Sequence, residues 1–122
     1  MGPILVVEDD PDVRASLVEV LEDEGYRVDT AGDGVEALAY LRGAALPPRL
    51  ILLDIMMPRM DGFQFRTAQS SDPALSPIPV AVVTADEHAA RKATAHGVHG
   101  FLRKPVQLED LLRLVAKLAG RP

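Results

Sequence analysis

Short apolar runs alternate along the chain with stretches whose apolar residues recur every three or four positions, five times over. The runs at residues 4–7, 27–31, 50–54, 80–84 and 100–103 read as strands. The first, third and fourth are continuously apolar, as parallel strands covered on both faces should be. The second and fifth are more polar, which places them at the edges of a sheet.

The intervening stretches read as helices. Asp10 can cap the first, Pro11 suits its opening position and Gly25 ends it. Its stripe is Val13, Leu17, Val20, Leu21 and Glu24. A second helix follows Asp33 over about 35–42 and is closed by Gly43. A third covers 63–69. A fourth, 87–96, has an Ala-rich inner face. In the fifth, Leu108, Leu111, Leu112, Val115 and Leu118 form one stripe, with Leu114 off it and expected to be exposed. Residues 46–48 and 70–79 read as loops, and no repeat or low-complexity segment interrupts the pattern. Strand–helix alternation with right-handed crossovers predicts an α/β fold, a (βα)5 doubly wound open parallel sheet. Ligands of such sheets bind beyond the carboxyl ends of the strands, where strand order reverses.

Composition narrows the chemistry. The chain has 122 residues, 48% of them apolar, enough for one core. It contains no Cys, so a metal would need oxygen or imidazole ligands. A net charge of -5 argues against direct nucleic-acid binding. No apolar run reaches membrane-spanning length, which predicts a cytoplasmic protein without membrane contact. Met1-Gly2 resembles the start of a myristoylation signal, but Pro3-Ile4 follows at once and the segment reads as strand. That immediate strand favours a native start.

The strand ends carry the candidate chemistry. The first ends in Glu8-Asp9-Asp10, the third in Asp54 and the fourth in Thr84, and the fifth runs into Lys104-Pro105. Each has an ordinary alternative. Asp10 reads best as a helix cap, Glu8 and Asp9 as a solvated turn, Asp54 as an acid before a turn, and Lys104 as a surface lysine. Their convergence on one rim is harder to explain that way. Carboxylates brought together repel until a hard cation intervenes, and Mg²⁺ is held by one or two carboxylates plus phosphate oxygens. An aspartate can then act as a phosphoryl acceptor, with an ammonium and a hydroxyl stabilising the transferred group.

At these residues the chain resembles the receiver domain of two-component response regulators, with a likeness covering nearly all of it. The carrying segments are Ile4-Leu5-Val6-Val7-Glu8-Asp9-Asp10, the run from Leu52 to Gly62, Val82-Val83-Thr84-Ala85, and Lys104-Pro105. The resemblance implies a flavodoxin-like receiver fold with strand order 2-1-3-4-5 and one receiver domain over 1–122. It implies Asp54 as phosphoacceptor, Glu8 and Asp9 as acidic pocket, Thr84 as switch hydroxyl and Lys104 as phosphate-binding lysine. Asp9, Asp54 and the main-chain carbonyl of Met56 would ligate Mg²⁺ or Mn²⁺, with Glu8 reaching it through water. Phe101 would be the switch aromatic, for which a buried strand ring is the plain alternative. Pro105 would follow a cis bond. The implied partners are a histidine kinase or histidine phosphotransfer protein, with Val13 and Pro105 as candidate contacts. A homodimer or effector would use the face made by the fourth helix, fifth strand and fifth helix, including Leu114. The chain would be no enzyme beyond its own phosphorylation and autodephosphorylation.

Met56 and Asp86 occupy positions that influence phosphoryl lifetime in that family. Val98-His99-Gly100 lacks the acid pair that often accompanies charged dimerisation there. His88, His96 and His99 fit no ligand spacing and read as solvated, while Met56, Met57 and Met60 read as loop packing.

Three rivals share the architecture. A flavodoxin-like cofactor binder needs a phosphate-cradling loop where this chain has Glu8-Asp9-Asp10-Pro11. An aspartate-nucleophile phosphohydrolase would need an acid at the Met56 position. A degenerate receiver used only as a docking module ranks second, since it usually loses the groups retained here. No output domain follows residue 122, so the chain reads as a stand-alone receiver or as a fragment of a longer protein.

Overall fold

The computed structural model describes residues 2–122. Five strands form one parallel sheet in the order β2-β1-β3-β4-β5. They are β1 (Ile4–Val7), β2 (Val28–Ala31), β3 (Leu50–Asp54), β4 (Val80–Thr84) and β5 (Gly100–Arg103). The helices are α1 (Pro11–Asp23), α2 (Gly34–Gly43), α3 (Gly62–Ser70), α4 (Glu87–Ala95) and α5 (Leu108–Ala119). Among the described residues, no helix is long and apolar enough to cross a membrane.

Alternation along each central strand sends successive side chains to opposite faces. Ile4, Val6, Leu50 and Leu52 pack with Leu17 and Leu21 of α1 and Leu111 and Val115 of α5. Leu5, Val7, Ile51 and Leu53 pack with Leu38 and Leu41 of α2 and Phe65 of α3. A smaller cluster joins Ile55 and Val82 to Ala89 and Ala93, the small inner face of α4. The strand order reverses at β1, whose neighbours β2 and β3 lie on opposite sides, so the crevice falls between the ends of β1 and β3.

Several expected details shift. β2 begins at Val28, because Arg27 contributes only a carbonyl, which accepts from the Ile4 N–H at 2.8 Å. Glu24 is exposed and forms the end of α1 rather than part of its stripe. Gly25, at φ 104, then makes the left-handed turn a helix end favours. α2 begins at Gly34 and includes Gly43 instead of stopping before it. In α5, Leu108 is 54% exposed although it lies on the expected stripe, and it lines an open groove against α1 instead of the core. Leu114 is half-buried, contrary to the expectation of exposure. Gly100 explains it: a Cβ there would approach Leu114 Cδ1 to 2.8 Å, so the leucine occupies the notch the glycine leaves.

Candidate functional site

β1 delivers Glu8 and Asp9 to the crevice. The Glu8 N–H donates to the Ala31 carbonyl at 3.1 Å, continuing the ladder, and Arg14 Nη1 donates to the Glu8 carbonyl at 2.9 Å. Glu8 is buried and Asp9 exposed. β3 delivers Asp54, which is 4% exposed. Carboxylate oxygens of Glu8, Asp9 and Asp54 all lie within 4.8 Å of one another. The Lys104 ammonium, from the end of β5, sits 2.8 Å from Glu8 Oε1 and 3.5 Å from Asp54 Oδ1. The Lys104 main-chain N–H donates to the Thr84 carbonyl at 3.0 Å, and the Lys104–Pro105 bond is cis.

One ammonium does not offset three carboxylates. Burial pushes the Asp54 carboxyl up to about 8; the Glu8 hydrogen bond and charge and the nearby Asp9 add to the rise, and Lys104 opposes it. Burial pulls Lys104 down, but Glu8 and Asp54 outweigh that and hold its ammonium above the ordinary lysine range. Glu8 Oε2 is buried with no hydrogen-bond partner. A carboxylate oxygen left so is costly unless something positive or protic meets it. Oxygen donors alone, clustered and under-neutralised, are the donor set of a hard divalent cation.

Thr84 is buried at the end of β4, and its Oγ1 accepts from the Asp86 N–H at 3.1 Å. Asp86 in turn caps α4, accepting from the His88 N–H at 2.9 Å. The Thr84 hydroxyl therefore bonds the residue that caps α4. Glu8, Asp9, Asp54 and Lys104 are brought together and Thr84 stands at the neighbouring strand end. Phe101 is not among them: it faces outward from edge strand β5, 49% exposed, so the buried-ring alternative does not describe this conformation. Met56 is 69% exposed, and only Met57 and Met60 of its cluster pack, under α2. Val13 and Pro105 line a groove of 560 Å³ beside the site, with Leu17, Val20, Leu108 and Leu111.

The histidines are exposed but not idle. His99 Nδ1 accepts from the Val80 N–H at 3.1 Å, and the His96 ring lies 5.3 Å from that of Phe63. The sequence reading missed one feature of the rim. Asp33 is buried and bonds the guanidinium of Arg59, 26 residues away, whose backbone is left-handed at φ 64. The sequence placed Asp33 just ahead of the second helix; its distant partner was not visible.

Parallel strands in the order 2-1-3-4-5, with acids, an ammonium and a hydroxyl at their carboxyl ends, place the chain in the doubly wound, flavodoxin-like class of α/β proteins. Residues 4–116 match the family model of the response regulator receiver domain, and the chain belongs to that family, whose work is phosphorelay signalling. It is 36% identical over 121 residues to the response regulator Rre1 of Synechocystis sp., covering 97% of this chain and 52% of that protein. The chain thus spans about half the length of that curated relative, and 50% of the response regulator MprA of Mycobacterium ulcerans, to which it is 40% identical over 97% of itself. Among solved structures it resembles chemotaxis protein CheY4 of Vibrio cholerae, with a TM-score of 0.86 and 32% identity over 97% of this chain and 98% of that one. It also resembles the receiver domain of sensor histidine kinase PA1611 of Pseudomonas aeruginosa, solved with a magnesium ion in its active-site cleft, at TM-score 0.88 and 26% identity over 98% and 99%.

Proposed function

We propose that this chain, as one receiver unit over residues 1–122, accepts a phosphoryl group on Asp54 in a Mg²⁺-dependent reaction. The donor is the phosphohistidine of a histidine kinase or phosphotransfer protein. The observation that carries the reading is the buried Asp54 carboxylate set between Glu8, Asp9 and Lys104, with Glu8 Oε2 left unpartnered.

Asp9, Asp54 and the Met56 carbonyl would hold the ion, with Glu8 behind them through water. When bound, the ion neutralises the crowded acids and the charge on the transferred phosphoryl group. An Asp54 oxygen attacks phosphorus, a P–O bond forms as the donor's P–N bond breaks, and the imidazole leaves with a proton. Lys104, already 3.5 Å from Asp54, neutralises one phosphoryl oxygen as a point charge. Thr84 then turns its hydroxyl from the Asp86 N–H toward a second oxygen, which releases the contact to α4. Phe101 begins from an outward position and moves inward as Thr84 turns. The altered face is α4, β5 and α5, where an effector or second copy docks; half-buried Leu114 supports Phe101's strand there rather than contacting the partner itself. The kinase or phosphotransfer helix docks on the Val13–Pro105 groove. The setting is cytoplasmic.

Incubation with acetyl phosphate and Mg²⁺ should add one phosphate by intact mass, and Asp54→Asn should abolish it. Full labelling of Asp54→Asn would refute the assignment.

A further inference from the structure

The segment between β3 and α3 carries Met56, whose carbonyl is a ligand in the reading above, yet the Met56 side chain is exposed and anchors nothing. The Met56 N–H donates to Asp54 Oδ1 at 3.3 Å, and the loop is held at two further points. At its base, the Gly62 N–H donates to the Ile55 carbonyl at 2.9 Å, and a Cβ on Gly62 would come within 2.9 Å of the Asp54 carbonyl oxygen. At its tip, Met60 N–H donates to the Pro58 carbonyl at 2.7 Å around Arg59, which adopts the left-handed backbone that non-glycine residues rarely take. Such a conformation persists only when its surroundings impose it.

Those surroundings are the N-terminus of α2. Asp33 Oδ1 accepts from the Glu36 N–H at 2.9 Å and caps the helix, while Oδ2 accepts from Arg59 Nε at 2.7 Å and pairs with Nη2. Each carboxylate oxygen has a separate task. Beside it, Gly34 lets Met60 close in, since a Cβ there would meet Met60 Cγ at 2.8 Å. Burial of Asp33 makes its two partners near-obligatory, because an unpaired carboxylate there would be desolvated without compensation.

We propose that Asp33 is a positioning residue for the cation site: by clamping Arg59 it fixes the β3–α3 loop, and with it the Met56 carbonyl, from 26 residues away. This rests on the Mg²⁺-dependent reading above, and the two fail differently.

The test uses Asp33→Asn, whose amide oxygen still caps α2 while its NH₂ faces the guanidinium and breaks the clamp, and Arg59→Asn, which tolerates the left-handed backbone. Mg²⁺ titration by calorimetry should show each variant weakened about tenfold, the low end for residues that orient metal ligands. Metal-free amide exchange at 56–60 should quicken by a similar factor, with α2 protection retained. The double variant should lose no more than either single one, since they break the same contact. A folded Asp33→Asn with wild-type Mg²⁺ affinity and wild-type exchange at 56–60 overturns the clamp. So does loss of affinity that is fully additive in the double variant. If the wild type binds no Mg²⁺, the functional reading falls instead, and the metal-free exchange rates decide the clamp alone.

Discussion

Asp33 and Asp54 are equally buried aspartates at the same rim, and their environments drive them in opposite directions. The Glu36 N–H and the Arg59 guanidinium outweigh burial at Asp33 and hold its carboxyl below the ordinary value of 3.8. Burial, Glu8 and Asp9 outweigh Lys104 at Asp54 and raise it to about 8. Surface exposure does not distinguish them; desolvation dominates at Asp54 and hydrogen-bond donors dominate at Asp33. Asp33 sits among donors and stabilises the fold. Asp54 sits among acceptors with one ammonium at 3.5 Å, a site that gains from a cation or a covalent partner. Donors that outweigh burial keep one acid ionised; burial among acceptors leaves the other crowded.

Removing the single opposing charge should sharpen that contrast most. Lys104→Met should lower the rate of phosphorylation by acetyl phosphate about 100-fold, as loss of one preorganised charge at a transferring group does. Mg²⁺ affinity should survive, because the oxygen ligands remain. If Lys104→Met loses Mg²⁺ as fully as Asp9→Ala does, the division of roles is wrong.

The next contrast is in stability, with opposite signs expected. Asp33→Ala removes a helix cap and the Arg59 clamp together and should cost about 2 kcal/mol. Asp54→Asn removes the crowded charge and, without Mg²⁺, should stabilise the fold by about 1–2 kcal/mol. Urea midpoints read both. Destabilisation by Asp54→Asn in chelator would show that its crowding is already relieved. Saturating Mg²⁺ should narrow the Asp54→Asn advantage, because the wild type keeps the ligand that variant lacks.

The two acids also separate in pH. Asp54 is raised in the fold, so its contribution is full below the unfolded value near 3.8 and is lost as pH rises towards about 8. Asp33 is lowered, so its contribution is present above 3.8 and disappears as pH falls through its depressed value. Metal-free wild type should therefore lose stability between about pH 5 and 8 relative to Asp54→Asn, while Asp33→Asn should lose its deficit only in acid. Parallel wild-type and Asp54→Asn curves across pH 5–8 would contradict the repulsion inferred here.

How much of this was legible beforehand follows the range of each interaction. The central runs declared the sheet because a strand buried on both faces must be apolar along its length, as Ile4–Val7 is and as β3 is up to its terminal Asp54. Glu8, Asp9, Asp54 and Lys104 could be placed because parallel strands put all their carboxyl ends on one rim. Leu114 was misjudged because its burial depends on the missing side chain of Gly100, a tertiary fact no helical period encodes. Met56 was grouped with Met57 and Met60 by spacing, although adjacent residues on a turn point to different surroundings. The Asp33–Arg59 pair was invisible for the same reason as Leu114. Asp33 announces a cap through its neighbour Glu36, but nothing local joins it to an arginine on another loop.

The smallest expected effect bears most closely on what Asp33 is for. The Arg59 side chain is 59% exposed, and a pair with one partner in solvent contributes little net stability, on the order of 0–1 kcal/mol. Asn also relieves the cost of a left-handed arginine backbone, which offsets part of that loss. Arg59→Asn should therefore shift the urea midpoint by less than half the Asp33→Ala change, because the cap on α2 remains. If the two are equal, the clamp rather than the cap carries the stability of Asp33, and the arginine is a structural strut. If Arg59→Asn is nearly silent in stability while Asp33→Ala is not, the cap holds the helix, and the arginine's contribution is left to the geometry of the loop beside Asp54.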